Sequence, residues 1–259
     1  MITVEPNYKS LNSFPNKSDN YKTTHSLKSD TVIIEFTGVG GSGKSYISKA
    51  LTSVLGSSCV HSSEIRLTSS DVFIYVITRP RRLISIIEFI RFLSPINLSA
   101  CWMIFRKILV HQMRIEKVLG MKRYVVVDEG FLHALRLFRK VSRRKVFYED
   151  IPSRIQANML LRYNFIIHLA VSFEVVHKRR LKRSREDPSR PMGSSQKNDY
   201  SIAECEIERD VISYCQKTGA CQIRIDNNQA RGAEEIAEDI AREIELQLSD
   251  GKVLSQHRE

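Results

Sequence analysis

The stretch Gly38-Val39-Gly40-Gly41-Ser42-Gly43-Lys44-Ser45 leaves this chain few folds to choose from. It satisfies the phosphate-loop pattern G-x-x-x-x-G-K-[ST] at every fixed position. Thr31-Val32-Ile33-Ile34-Glu35-Phe36 before it is an apolar, β-branched run that reads as a buried strand. Ile47, Leu51, Val54 and Leu55 after it fall at i, i+4, i+7 and i+8, the stripe of an amphipathic helix. Strand, glycine loop, helix is the setting in which this pattern holds phosphate. Glycines at 38, 40, 41 and 43 admit backbone conformations closed to other residues, so successive N–H groups can turn onto one anion. The helix that follows adds the partial positive charge of its N-terminus. Lys44 is placed for the β- and γ-phosphates of a nucleoside triphosphate, and the Ser45 hydroxyl is a hard oxygen ligand for Mg²⁺.

Tyr124-Val125-Val126-Val127-Asp128 is the second strong signal. A buried strand that ends in a carboxylate opens its acid on the phosphate site, which makes Asp128 the candidate metal-side acid of that site. Glu129 and Gly130 follow, and the glycine would allow a sharp turn. Glu64, near the end of the short strand candidate Ser58–His61, is a minor candidate for an acceptor base, with a plain surface carboxylate as the simpler reading.

Charge is unevenly spread. Residues 79–190 hold 25 Lys/Arg against 9 Asp/Glu, a net of +16, whereas residues 191–259 hold 8 against 14, a net of −6. A field of this sign suits phosphorylated small molecules, anionic membranes or nucleic acid. Much of it also reads as a solvated basic face. The five cysteines form no C-x-x-C pair and have no histidine at zinc-finger spacing, which excludes the usual zinc modules and points to reduced thiols in a cytoplasmic protein. Residues 1–30 lack a signal-peptide core and read as a mobile tail, and 249–259 as a C-terminal tail. The longest uncharged run, Phe92–Phe105, contains Pro95 and Asn97 and is too short to span a membrane.

The remaining elements follow from periodicity. Val72–Ile77 is apolar enough for a strand or a buried helix, and its pattern does not decide between them. Leu83, Ile86, Ile87 and Ile90, then Met103, Ile104, Ile108 and Ile115, predict two helices separated by Ser94–Asn97. A basic helix is expected over 131–147, a helix from Pro152 to about Leu161, and a strand at Phe165–Ala170 in which His168 reads as structural. Residues 173–185 predict a helix ending in Lys178, Arg179, Arg180, Lys182, Arg183 and Arg185. Glu186–Tyr200 reads as a mobile loop, followed by a helix carrying Ile207, Val211, Tyr214 and Cys215. Cys221–Ile225 is a last strand, and Ile236, Ile240, Ile244 and Leu248 mark a C-terminal helix.

Residues 31–248 resemble the P-loop kinase group that includes the thymidylate, nucleoside monophosphate and deoxynucleoside kinases. The loop Gly38–Ser45, the strand end Asp128-Glu129-Gly130, the run Arg180-Leu181-Lys182-Arg183 and the segment Ile223–Asn227 carry the resemblance. It implies an α/β three-layer P-loop NTPase fold, with a parallel five-stranded sheet covered on both sides and a lid at 173–200; the helical insertion at 72–119, read as acceptor-side from its helical patterns, departs from that group and matches none of its nucleoside pockets. The resemblance also implies that Arg180 and Arg183 reach the phosphates when the lid closes. The chain departs from the thymidylate kinase pattern at Thr37-Gly38, where Glu-Gly is usual, and at Asp128-Glu129, where Asp-Arg is usual. The expectation is therefore an enzyme that moves the γ-phosphoryl of Mg²⁺-bound ATP to a small-molecule acceptor such as a nucleoside, nucleotide or sugar. Lys44, Asp128, Arg180 and Arg183 would be catalytic, Gly38 to Ser45 would bind the nucleotide, and Ser45 and Asp128 would hold the metal. The competing reading is a nucleotide-switched basic module that docks on a membrane or on nucleic acid. Against nucleic acid stands the lack of aromatics interleaved with the basic residues.

Overall fold

The computed structural model describes residues 2–4, 31–159, 162–186, 197–228 and 231–250. Its centre is a parallel sheet of five strands: β2 (Val32–Thr37), β3 (Cys59–His61), β4 (Tyr124–Val127), β5 (Phe165–Ala170) and β6 (Cys221–Asp226). They lie in the order β3-β4-β2-β5-β6. A further short strand, β1 (Ile2–Val4), runs antiparallel along β6, with Ile2 opposite Ile225 and Val4 opposite Ile223. The expected tail therefore begins as a sheet edge, because its β-branched start meets an otherwise unpaired ladder on β6. Residues 5–30 and 251–259 lie outside the described residues.

Alternation along each strand divides the core. Val32, Ile34 and Phe36 of β2, with Tyr124, Val126, Phe165, Ile167 and Leu169, face α1 (Lys44–Leu55) and α9 (Ala233–Ser249). Ile33, Val125, Val127 and Ile166 face the opposite layer, where the packed helices include α3 (Pro80–Leu93), α4 (Leu98–Val118), α5 (Phe131–Lys140) and α8 (Lys197–Thr218). This is the three-layer α/β P-loop architecture. Its strand order reverses at β2, so the crevice beyond the carboxyl ends of β2 and its neighbours is the natural place for a ligand.

Val72–Ile77 lies in helix α2 (Ser69–Thr78). A capping box decides it: the Thr68 hydroxyl accepts from the Asp71 amide at 3.3 Å, and the Asp71 carboxylate accepts from the Thr68 amide at 2.6 Å. Asn97 caps α4 by accepting from the Ala100 amide at 2.8 Å. Helix α6 (Ser153–Met159) and helix α7 (Phe173–Glu186) complete the set.

The basic helix expected over 131–147 ends at Lys140. Arg139 turns inward rather than joining a solvated face. It is 9% exposed, donates to the Val146 carbonyl at 2.6 Å and pairs with Asp210 of α8. Asp210 also accepts from the Tyr148 amide at 2.8 Å. One buried carboxylate thus pins the α5–α6 connection to α8. Removing it takes the nearest carboxylate from a buried guanidinium, and breaking a buried pair typically costs about 3–5 kcal/mol. Asp210→Ala should lower the unfolding free energy by about that amount in urea titrations; a midpoint close to wild type would show that this pair does not hold the connection.

Candidate active site

Helix α1 starts directly from the glycine loop, and three loop glycines adopt left-handed backbone angles: Gly38 (φ 138), Gly41 (φ 92) and Gly43 (φ 97). At Gly38 a side chain is excluded twice, since a Cβ there would also lie 2.7 Å from the Leu169 carbonyl. Gly40 is not among the left-handed glycines, and a Cβ there would only touch Arg180 at 3.5 Å.

Side-chain donors gather the carbonyls of this loop. Lys44 Nζ donates to Gly38 O and Val39 O, each at 2.9 Å. Arg180 donates to Gly40 O through Nη2 at 2.7 Å, Arg179 to Ser42 O at 3.2 Å, and Asn227 Nδ2 to Ser42 O at 2.8 Å. Among the described residues, no acceptor meets the amides of Gly40, Gly41 or Gly43. Carbonyls engaged, amides unpartnered and a helix N-terminus behind them make a cradle for an anion. The residues present therefore fit a phosphate chain.

Lys44 is 8% exposed, and burial, then the Arg136 guanidinium, push its ammonium down to about 8 against the pull of Glu129, Asp128 and Glu204. The same group of charges surrounds His133 of α5. Burial first, then Lys44, Lys107 and Arg136, push that imidazole down to about 3, so it stays neutral near pH 7.

Asp128 follows β4 immediately, and β4 pairs with β2 so that Val127 lies opposite Glu35. The acid and the loop thus leave adjacent strand ends. Behind them runs a chain the sequence analysis did not name. His61 Nε2 lies 3.2 Å from Ser48 Oγ and 3.9 Å from Asp128 Oδ1. His61 Nδ1 lies 2.6 Å from Ser63 Oγ and accepts from the Ser63 amide at 3.3 Å, which assigns the ring proton to Nε2, facing Ser48 and Asp128. Burial lowers the His61 pKa, which favours this neutral form. Ser45 sits exposed in the first turn of α1, and Glu64 is exposed in the turn Ser62–Glu64. Glu129 is also open to solvent, with Lys107 of α4 at 3.6 Å.

Two further carboxylates lie deep in the site. Glu35, inside β2, is fully buried, and His133 N donates to its Oε1 at 3.2 Å. Burial pushes its carboxyl up to about 8, opposed by the His133 amide, the Tyr163 hydroxyl and the amides of Leu132 and Phe131. Glu35 also explains Gly130, whose φ of −79 is ordinary: a Cβ there would sit 2.3 Å from Glu35 Cδ. The glycine is required by close approach, not by a sharp turn. Glu204 of α8 lies 3.0 Å from His168 Nε2, an ion-pair distance without hydrogen-bond alignment. His168 is wholly buried opposite Thr37 of β2, in keeping with a structural role.

Helix α7 brings Arg179 and Arg180 onto the loop, while Arg183 is placed on the same helix and its side chain lies outside the described residues. Of the expected lid loop Glu186–Tyr200, residues 187–196 also lie outside them, and 197–200 form the first turn of α8. Asn227 was legible only as part of the turn after the last strand.

No protein-family model matches the sequence, and no curated protein matches it. Two solved structures of deoxyadenosine kinase from M. mycoides are similar. One, with the products dCMP and a flexible dCDP bound, is 14% identical, covers 83% of this chain and 99% of that one, and has a TM-score of 0.47. The other, with dCTP bound, is 13% identical, covers 82% and 100%, and has a TM-score of 0.46.

The folded state holds the Glu35 proton more tightly than the unfolded chain does. That stabilisation is complete below the ordinary carboxylate range and is lost as pH rises through about 8. Glu35→Gln keeps the shape and is neutral throughout, so its thermal midpoint should fall less than wild type's between about pH 6 and about pH 9. Parallel slopes for the two proteins would mean that Glu35 is not the titrating group.

Proposed function

We propose that this chain is a phosphotransferase that moves the γ-phosphoryl of Mg²⁺-bound ATP to a hydroxyl of a small acceptor, of the nucleoside, nucleotide or sugar class. The observation that carries the reading is the loop 38–45, whose carbonyls are held by Lys44, Arg179, Arg180 and Asn227 while its amides are left for an anion. Asp128 on the neighbouring strand end supports it.

In this reading the amides of Gly40, Gly41 and Gly43 bind the phosphate chain of the substrate, and Lys44 moves from loop carbonyls onto it. Ser45 and Asp128 would hold Mg²⁺, which supplies charge neutralisation between the phosphates. Arg179 and Arg180 fix the donor from the α7 side, with Arg183 one turn further along. Glu129, exposed beside Lys107, would accept the proton of the acceptor hydroxyl as its oxygen bonds to the γ-phosphorus and the bond to ADP breaks. His133, held neutral, adds no charge beside Lys44. The loose transition state of phosphoryl transfer asks for this kind of placement and charge, not for a covalent nucleophile.

Lys44→Ala should lower turnover by about 10²–10³-fold, since a single charge aimed at developing negative charge is worth several kcal/mol. Turnover is read as acceptor-dependent ADP release in the presence of a metabolite pool; a variant as active as wild type would overturn phosphotransfer at this loop. Asp128→Asn keeps the shape and removes the charge a divalent cation needs. It should shift the Mg²⁺ dependence of turnover to higher concentration while changing nucleotide affinity much less. An unaltered Mg²⁺ titration would move the metal-side acid to Glu129.

A further inference from the structure

The outer surface of the helical insertion has a chemistry that phosphotransfer does not use. In α2 a single apolar side chain faces inward: Tyr75, 6% exposed, donates to Gln112 Oε1 at 2.8 Å. Around it Phe73, Ile74 and Ile77 are 66%, 57% and 60% exposed, and Val72 and Val76 are exposed too. Helix α3 continues the pattern. Ile86, Phe89 and Leu93 are buried, while Ile84 and Ile87 are exposed and share a face with Arg91 at i, i+3 and i+7. Arg81 stands exposed between the two apolar groups along the chain.

The carboxylates of α2 and α3 are both occupied. Asp71 pairs with Lys117 at 2.8 Å and Glu88 with Arg154 at 3.2 Å. Arg79 and Arg82 pair with Glu116 of α4. What faces outward is thus bulky apolar surface with arginines beside it and no spare negative charge. No helix among the described residues is long and apolar enough to cross a membrane.

We propose that the α2–α3 face docks on the surface of an anionic lipid bilayer, with Phe73, Ile74 and Ile77 entering the boundary between headgroups and acyl chains and with Arg81 and Arg91 on lipid phosphates. Apolar side chains set among cations are the signature of helices that lie in this boundary. A second copy of the chain fits less well, because a self-complementary contact would have to meet Arg81 and Arg91 with carboxylates of the same face, and those of α2 and α3 are already paired. The docking does not depend on the phosphotransfer reading, and it orients the nucleotide crevice relative to the membrane.

The test is flotation of the full chain with vesicles of phosphatidylcholine alone, and with about one third phosphatidylserine. The protein should float with the anionic vesicles, lose capture as salt is raised, and bind phosphatidylcholine several-fold less. Phe73→Ser with Ile77→Ser should lower capture by about tenfold or more, with the circular dichroism and thermal midpoint of wild type, because both side chains point outward. Arg81→Glu should lower capture by anionic vesicles only. Absence of capture by either vesicle, or capture indifferent to the Phe73/Ile77 change, overturns the proposal. So does a wild-type dimer in light scattering that the same change converts to monomer, since the face then belongs to a second copy. Nucleotide turnover measured on the same samples separates the two readings: a protein that floats but does not turn over removes phosphotransfer and leaves the docking.

Discussion

The structure depends on which way one short loop presents its peptide groups. A loop of this length has as many carbonyls as amides, and left alone it offers an anion both. Here Lys44, Arg179, Arg180 and Asn227 occupy the carbonyls of Gly38, Val39, Gly40 and Ser42. These donors come from α1, α7 and the turn after β6, so the loop's polarity is a product of the tertiary fold. The sheet order makes it possible, because β2 is flanked directly by β4 and β5 and reaches β6 across only one strand. Everything assigned to the crevice, from Asp128 to α7, is arranged around that central strand.

Burying polar groups beside the loop is costly, and the chain does it repeatedly on one face of the sheet. Glu35, Thr37 and His168 are all buried on the side facing α5 and α8. Glu35 and His168 are each faced by a polar group from that layer. The first-turn amides of α5 face Glu35, where the positive end of a helix favours a carboxylate, and Glu204 faces His168. Tyr163 ties this polar layer to the helical insertion: its hydroxyl lies 2.6 Å from His111 Nε2 of α4 and accepts from the Phe131 amide at 3.0 Å. A shift of α4 would therefore be felt where α5 begins, next to Asp128 and Glu129.

The legible part of this molecule was the part written in local pattern. The glycine loop, the strand ending in Asp128 and the stripes of α1, α3, α4 and α9 could be read because each depends on residues close in sequence. Val72–Ile77 was readable too, but through Thr68-Ser69-Ser70-Asp71, a capping signature, and not through hydrophobic period, which is silent for so short a run. The inward turn of Arg139 was not legible, since its partner Asp210 lies 71 residues beyond it. Glu35 carried a signal that period alone passes over: a carboxylate within an otherwise apolar run entering the loop has to find a partner inside the fold. Gly130 was noticed, but its reason lay 95 positions away in that same carboxylate.

The sheet ends on both sides in strands of three residues, β3 and β1. Short borders of this kind offer a neighbouring molecule few unpaired backbone groups. On one side the border is supplied by the first residues of the chain, lying against the six-residue β6. A bulky group set beside Ile2–Val4 would therefore sit at the rim of the sheet itself, and would compete with that border or lengthen it into a sticky ledge. Those three residues are, for whoever handles this protein in the laboratory, a structural element and not a spare handle.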